Sequence, residues 1–214
     1  MRTMNNLTKT TDGLVFIIDD DASVCKALAR LLTASGYATE VFHSADDYLQ
    51  RELYLGFGCL ILDLRMPGMS GTDLQIHLNA QNNRIPVIFL TGHGDLPVGI
   101  EAMKRGAVDF LTKPVDDIAL LGAVNRALSS SHKVHAEQSS RVDLQARLDS
   151  LTPREMEVLE YMLGGARNKQ IAQYLAISEK TVKAHRGSIM RKMRASSPAE
   201  VGWLCSLVNR PIPK

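Results

Sequence analysis

Short apolar runs recur through the first 128 residues, separated by stretches in which apolar residues return every three or four positions. The runs Leu14-Val15-Phe16-Ile17-Ile18, Cys59-Leu60-Ile61-Leu62 and Val87-Ile88-Phe89-Leu90 show no alternation, the pattern of strands covered on both faces. The whole pattern predicts strands at 14–18, 37–42, 58–62, 86–90 and 107–111, and helices at about 22–34, 45–53, 71–80, 96–105 and 116–128. Five β-α units in succession imply an α/β fold, a doubly wound five-stranded parallel sheet with helices on both faces. Ser35-Gly36 closes the first helix, Ser70 is placed to N-cap the third, and Gly106 stops the fourth.

Beyond residue 128 the pattern changes. Residues 129–149 are rich in Ser, His, Gln and Arg with only a sparse apolar series, Val134, Val142, Leu144 and Leu148. This stretch reads as a linker, either a tether or a frayed extension of the fifth helix, with Ser129-Ser130-Ser131 and Ser139-Ser140 favouring interruption. Helices alone follow. Thr152, Pro153 and Glu155 sit as N-cap, N1 and N3 of one helix, whose buried face is Met156, Val158, Leu159 and Met162. Asn168 to Leu175 is a short second helix, Ser178 caps a long third reaching about Arg194, and a fourth starts at Pro198. The resulting division is a tail at 1–12, an α/β domain at 13–128, a linker at 129–149 and a small all-α four-helix domain at 150–210.

Charge adds a second division. Residues 1–128 hold 11 Lys and Arg against 15 Asp and Glu, whereas residues 129–214 hold 14 against 8. A basic rear half points to a polyanionic partner. No apolar run approaches the roughly 20 residues that a membrane-spanning helix needs, and the polar start Met1 to Asp12 has no signal-peptide core, so a cytoplasmic protein without a membrane partner is expected. Cys25, Cys59 and Cys205 are odd in number, far apart and set in apolar or helical surroundings, which marks them as reduced packing residues. His43, His77, His93, His132 and His135 show no metal-ligand spacing.

The candidate chemistry lies at strand ends. Asp19-Asp20-Asp21 follow the first strand, Asp63 ends the third before a Pro67-Gly68 turn, Thr91 follows the fourth and Lys113-Pro114 follows the fifth. The carboxyl edge of an open parallel sheet is where such folds bind ligands. A lone aspartate there is ordinarily a solvated carboxylate; reactive groups at four strand ends favour a site. Three carboxylates converging from Asp19, Asp20 and Asp63 repel one another unless a divalent cation sits among them, and hard oxygen ligands favour Mg2+. A carboxylate is also a competent nucleophile toward phosphorus when charge on the transferred oxygens is neutralised. Lys113 supplies an ammonium for that, Thr91 a hydroxyl, and Gly92 leaves room.

On these residues, 13–128 resembles the receiver domain of a two-component response regulator, flavodoxin-like in fold. The resemblance implies that Asp63 is the phosphoacceptor, Thr91 the switch hydroxyl, Phe110 the switch aromatic, and Lys113 the lysine that precedes a cis proline, here Pro114. It implies a magnesium site made of Asp20, Asp63 and the main-chain oxygen of Arg65, with Asp19 acting through water and Asp21 outside the set. It further implies a sensor histidine kinase as partner and a receiver that catalyses only its own phosphorylation and slow autodephosphorylation, so the chain is not otherwise an enzyme. An aspartate-based phosphatase of the haloacid dehalogenase type wants an acid two residues past the nucleophile, where this chain has Arg65.

In the rear half a short helix, a turn at Ala176-Ile177 and a long helix form a helix-turn-helix arrangement. Lys180, Lys183, Gly187, Arg191 and Arg194 recur along one stripe of the long helix, while Val182, His185, Ile189 and Met193 form a largely apolar one. Leu151-Thr152-Pro153-Arg154-Glu155, Asn168-Lys169-Gln170-Ile171-Ala172 and Ile177 to His185 resemble successive signatures of the LuxR-type module. Together the halves resemble the FixJ/NarL family, and Thr91 to Pro97 and Gly106 to Pro114 lean toward its FixJ branch. The likeness implies double-stranded DNA as ligand, with Lys183, Ala184 and Gly187 facing the groove and Lys169, Thr181 and Arg186 near phosphates. Gly187 stands where family members carry a long basic residue. The family also implies a homodimer when phosphorylated and contact with RNA polymerase. Trp203, Leu204 and Leu207 of the last helix serve either as a dimer surface or to close the small core. A rival reading is a phosphorylated relay protein whose rear domain binds protein instead of DNA.

Overall fold

The computed structural model describes residues 13–92 and 96–208. The tail at 1–12, His93-Gly94-Asp95 of the Thr91-to-Pro97 stretch, and the last residues of the 150–210 domain lie outside the described residues. The chain forms two compact units that part between His135 and Ala136.

In the first unit, strands β1 (Leu14–Ile18), β2 (Ala38–Phe42), β3 (Gly58–Asp63), β4 (Val87–Thr91) and β5 (Asp109–Thr112) form one parallel sheet in the order β2-β1-β3-β4-β5. The helices are α1 (Ala22–Ala34), α2 (Ala45–Gln50), α3 (Gly71–Ala80), α4 (Leu96–Lys104) and α5 (Asp117–Asp149). Alternate strand residues face opposite sides. Val15, Ile17, Cys59, Ile61, Ile88 and Leu90 meet α1 and the first turns of α5 on one face. Phe16, Ile18, Leu60, Leu62 and Phe89 meet α2, α3 and α4 on the other. Both faces are closed, so β3 is buried at every residue, as its unbroken apolar run requires.

Three differences from the sequence pattern stand out. β5 begins at Asp109, because Ala107 and Val108 serve as the connection from Gly106, whose φ of 92° ends α4. α2 stops at Gln50, and Arg51 turns extended while its guanidinium lies 3.9 Å from the centroid of Tyr48. The interruption expected at the serine clusters is absent, since α5 runs unbroken to Asp149. Ser140 Oγ donates to Ala136 O within the helix at 2.8 Å. Ser131 Oγ accepts from Gly58 N at 3.1 Å, and His132 packs edge-on to Phe57. At its far end Leu144 and Leu148 are buried in the second unit's core. Packing at both ends outweighs weak local propensity.

The second unit contains the end of α5 with α6 (Pro153–Leu163), α7 (Asn168–Tyr174), α8 (Glu179–Met193) and α9 (Pro198–Leu207). Thr152 caps α6 in a reciprocal box with Glu155, and Ser178 and Ser197 cap α8 and α9. Val158, Leu159, Ile171, Val182, Ile189, Met193, Val201 and Cys205 form the core. The turn between α7 and α8 places Ala176 in the left-handed region, φ 52°. The three cysteines are buried and free. Burial pushes the Cys25 thiol up to about 11 and the Cys59 thiol up to about 12, which leaves both protonated at neutral pH.

Candidate phosphoacceptor crevice and nucleic-acid face

β1 and β3 are neighbours with Ile18 opposite Leu62, so the residues that follow, Asp19 and Asp63, arrive side by side at the carboxyl edge. The chain order reverses between these strands, the topological switch point of the sheet. Both carboxylates are buried, Asp19 at 1% exposure and Asp63 at 6%. The Lys113 ammonium, arriving from the end of β5, donates to Asp19 Oδ2 at 2.6 Å and to Asp63 Oδ1. Asp63 Oδ2 accepts from Arg65 N at 2.7 Å, and Asp19 Oδ1 from Asp21 N at 3.0 Å.

The electrostatics follow from this arrangement. Burial raises the Asp63 carboxyl above the usual range more than the Lys113 and Arg65 hydrogen bonds lower it. Burial alone would lower the Lys113 ammonium, but its bonds to Asp19 and Asp63 win and raise it. A cationic lysine is thereby held between two carboxylates.

Lys113 and Pro114 are joined by a cis peptide bond, and Lys113 N donates to Thr91 O at 2.6 Å. Thr91 is buried beside this crevice, and its hydroxyl donates to Gly92 O at 3.1 Å. Phe110 is half-buried on β5, its ring against Gly99 of α4.

Asp20 is not drawn into the group. Successive residues leave a strand on opposite sides, so Asp19 turns inward and the Asp20 side chain is exposed. Among the described residues no three His, Cys, Asp or Glu side chains are gathered as a metal cluster. Asp19 and Asp63 share one lysine, and Asp20 stands next to them with its side chain open to solvent. The oxygen atoms along this edge, those of Asp19, Asp20, Asp63 and the Arg65 main chain, are all hard donors of the kind that suits magnesium.

Two residues of this site were not evident in sequence. Asp21 N-caps α1, accepting from Ser23 N at 2.7 Å, and the Ser23 hydroxyl and backbone bonds lower its carboxyl. Gly71, at the start of α3, packs directly on Asp63: a Cβ there would lie 2.1 Å from Asp63 O. Only glycine allows this approach. Its position directly after the N-cap Ser70 and eight residues past Asp63 was the available signal.

In the second unit, Lys183, Ala184 and Gly187 lie exposed together on α8, and a Cβ at Gly187 would meet open space. Lys169 is exposed on α7, whereas Arg186 and Thr181 are half-buried. Thr181 belongs to the cap of α8, its hydroxyl 2.8 Å from Ser178 Oγ. His185 is half-buried on α8. Lys192, on the same basic helix, points elsewhere, donating to Glu155 Oε2 at 2.7 Å and Ser150 O at 2.9 Å. It lies on the opposite side of α8 from the exposed Lys183, nine residues and half a revolution away.

Comparison with known proteins matches residues 15–125 to the response regulator receiver domain and residues 149–202 to the luxR family of bacterial regulatory proteins. Response regulator protein TodT of Pseudomonas putida is 45% identical over 185 residues, 86% of this chain and 82% of that protein. Transcriptional regulatory protein FixJ of Bradyrhizobium diazoefficiens is 39% identical over 192 residues, covering 90% and 94%. The structure of response regulator StyR superposes with a TM-score of 0.84 at 42% identity, over 91% of this chain and 98% of that one. Full-length FixJ from B. japonicum superposes with a TM-score of 0.57 at 38% identity, over 94% and 98%.

Proposed function

Since this chain belongs to the two-component response regulators that join a receiver domain to a luxR-type DNA-binding domain, we propose that Asp63 is its phosphoacceptor and that phosphorylation there controls DNA binding by the rear unit. The observation that carries this reading is the Lys113 ammonium bound to Asp19 and Asp63 together at the switch point of the sheet. An Asp63 oxygen attacks the phosphorus of a phosphohistidine on the sensor kinase. The new P–O bond forms as the P–N bond breaks, and the electron pair of that bond leaves on the imidazole nitrogen. Lys113 shifts from the carboxylate to the transferred oxygens, and Thr91 turns its hydroxyl toward one of them. Asp20, Asp63 and the Arg65 main-chain oxygen, with Asp19 acting through water, would hold magnesium, which would supply further positive charge at those oxygens. Slow loss of phosphate from Asp63 resets the site.

Phe110 follows Thr91, and the receiver then pairs with a second copy. Two rear units engage two half-sites, so the second contact is intramolecular and weak modules become a useful binder. Lys183, Ala184 and Gly187 face the groove, while Lys169, Thr181 and Arg186 position the helix on the backbone. On this reading the protein acts in the cytoplasm, with RNA polymerase as a further partner. The test is labelling with a phosphorylated kinase or acetyl phosphate. Asp63→Asn should abolish acid-labile phosphate and the accompanying rise in duplex affinity; persistent labelling would move the acceptor elsewhere.

A further inference from the structure

Gly99 is a buried residue within α4, a place where helix propensity alone favours alanine. A Cβ at this position would stand 2.5, 2.6 and 2.8 Å from Cζ, Cε2 and Cε1 of Phe110. Carbon atoms in good contact stay roughly 3.5–4 Å apart, so the Phe110 ring occupies space that exists only because residue 99 has no side chain.

The surroundings determine what would yield if that space were filled. α3 ties down the later turns of α4, with Gln75 Nε2 donating to Ala102 O at 3.3 Å and Asn79 Nδ2 to Arg105 O at 3.3 Å, and Ala102 is fully buried. The backbone of β5 is held by its register with β4, Phe89 opposite Phe110 and Thr91 opposite Thr112. Between two anchored backbones the movable part is the half-buried ring, which rotates about its side-chain bonds.

We infer that Gly99 is a positioning residue of the receiver: its bare backbone is the seat of the Phe110 ring in the resting arrangement, and it sets how readily the ring leaves. The inference rests on the reading of Asp63, Thr91 and Phe110 as one switch. A side chain at position 99 penalises the seated ring and moves the population toward the switched arrangement.

The experiment compares the full chain with its Gly99→Ala and Gly99→Ser variants, each also in a background carrying Phe110→Leu. Fluorinated phenylalanine reports the ring by 19F resonance, the Phe110 signal among five phenylalanines being assigned by its loss in Phe110→Leu. Acetyl phosphate with magnesium reports the Asp63 labelling rate, and duplex titration without phosphodonor reports the resting population. Gly99→Ala should shift the Phe110 resonance and raise both the labelling rate and the unphosphorylated duplex affinity about fivefold, a modest population shift. Gly99→Ser, of similar size and lower helix propensity, should behave alike. Both effects should vanish where Phe110→Leu has removed the ring. An unmoved resonance with unchanged rates would overturn the inference while leaving Asp63 labelling of the parent chain intact. Effects that persist in the Phe110→Leu background, or a fall in rate and affinity, would also overturn it. A parent chain that takes up no phosphate at Asp63 would instead remove the switch reading itself, and a shifted resonance with unchanged rates would uncouple Phe110 from it.

Discussion

Each unit buries a carboxylate against a lysine, and the two pairs end up biased in opposite directions. The Asp63 and Glu155 side chains are 8% and 6% exposed, and their lysines, Lys113 and Lys192, 26% and 31%. Asp63 nevertheless lies deeper among protein atoms, and the two differ also in their number of donors. Glu155 receives Lys192, Ser188 and both the backbone and hydroxyl of Thr152; burial pushes its carboxyl up, but these bonds hold it down at about 2. Asp63 has Arg65 N and an ammonium that it shares with Asp19, and burial prevails. The rear pair is saturated and serves to hold α8 against the cap of α6. The front pair is left short of positive charge, which suits the phosphoacceptor role proposed for Asp63.

That comparison breaks most directly at Lys113. Lys113→Met should slow Asp63 labelling by acetyl phosphate about 100-fold, the scale for removing one preorganised charge donor at a reacting oxygen; an unchanged rate would mean the ammonium is structural, like Lys192.

On the rear side, the low carboxyl of Glu155 stabilises the fold fully above its ordinary value near 4.5, and this contribution disappears as pH falls toward about 2. It amounts to about 3 kcal/mol by linkage. Glu155→Gln should therefore lower stability at pH 7 by about that much and flatten the loss between pH 5 and 2. Urea unfolding followed by Trp203, the single tryptophan, reads the rear unit within the intact chain. A variant with an undiminished acid slope would assign that slope to other carboxylates.

Gly71→Ala sharpens the contrast from the backbone side. It should cost the receiver about 2 kcal/mol through forced displacement of the Asp63 main chain and slow labelling, leaving the Trp203 transition unmoved. Normal labelling would show that α3 can retreat without disturbing Asp63. The smallest effect is expected at an exposed residue: Lys183→Ala should weaken duplex binding by roughly 1 kcal/mol and lower its salt slope by about one if it meets a phosphate, or relax base preference if it meets a base edge. Phosphate labelling should not change.

Much of this was legible in the residues themselves. Asp19, Asp63, Thr91 and Lys113 were placed by unbroken apolar runs whose ends meet at one edge of a parallel sheet, and the caps at Ser70, Thr152 and Ser178 announced their helices. The contrast between buried Asp19 and exposed Asp20 was not legible, because adjacency in sequence conceals the alternation that turns one inward and the other outward. Lys192 and Lys183 stand on opposite sides of α8, and what Lys192 meets there, Glu155 of the first helix of the unit, is supplied by a segment distant in sequence. Ser129-Ser130-Ser131 reads as a break, yet Gly58 and Phe57 supply partners that no local pattern contains.

The sequence by itself determined the α/β then all-α order, the reactive side chains at the strand ends and the basic helix α8, because periodicity, capping and charge are local properties of the chain. Only the tertiary structure decided that two carboxylates and not three share Lys113, that α5 continues through its serines, and that Gly71 and Gly99 owe their identity to Asp63 and Phe110. Those outcomes depend on distances between segments far apart in sequence, and close packing makes such distances decisive to within a fraction of an ångström.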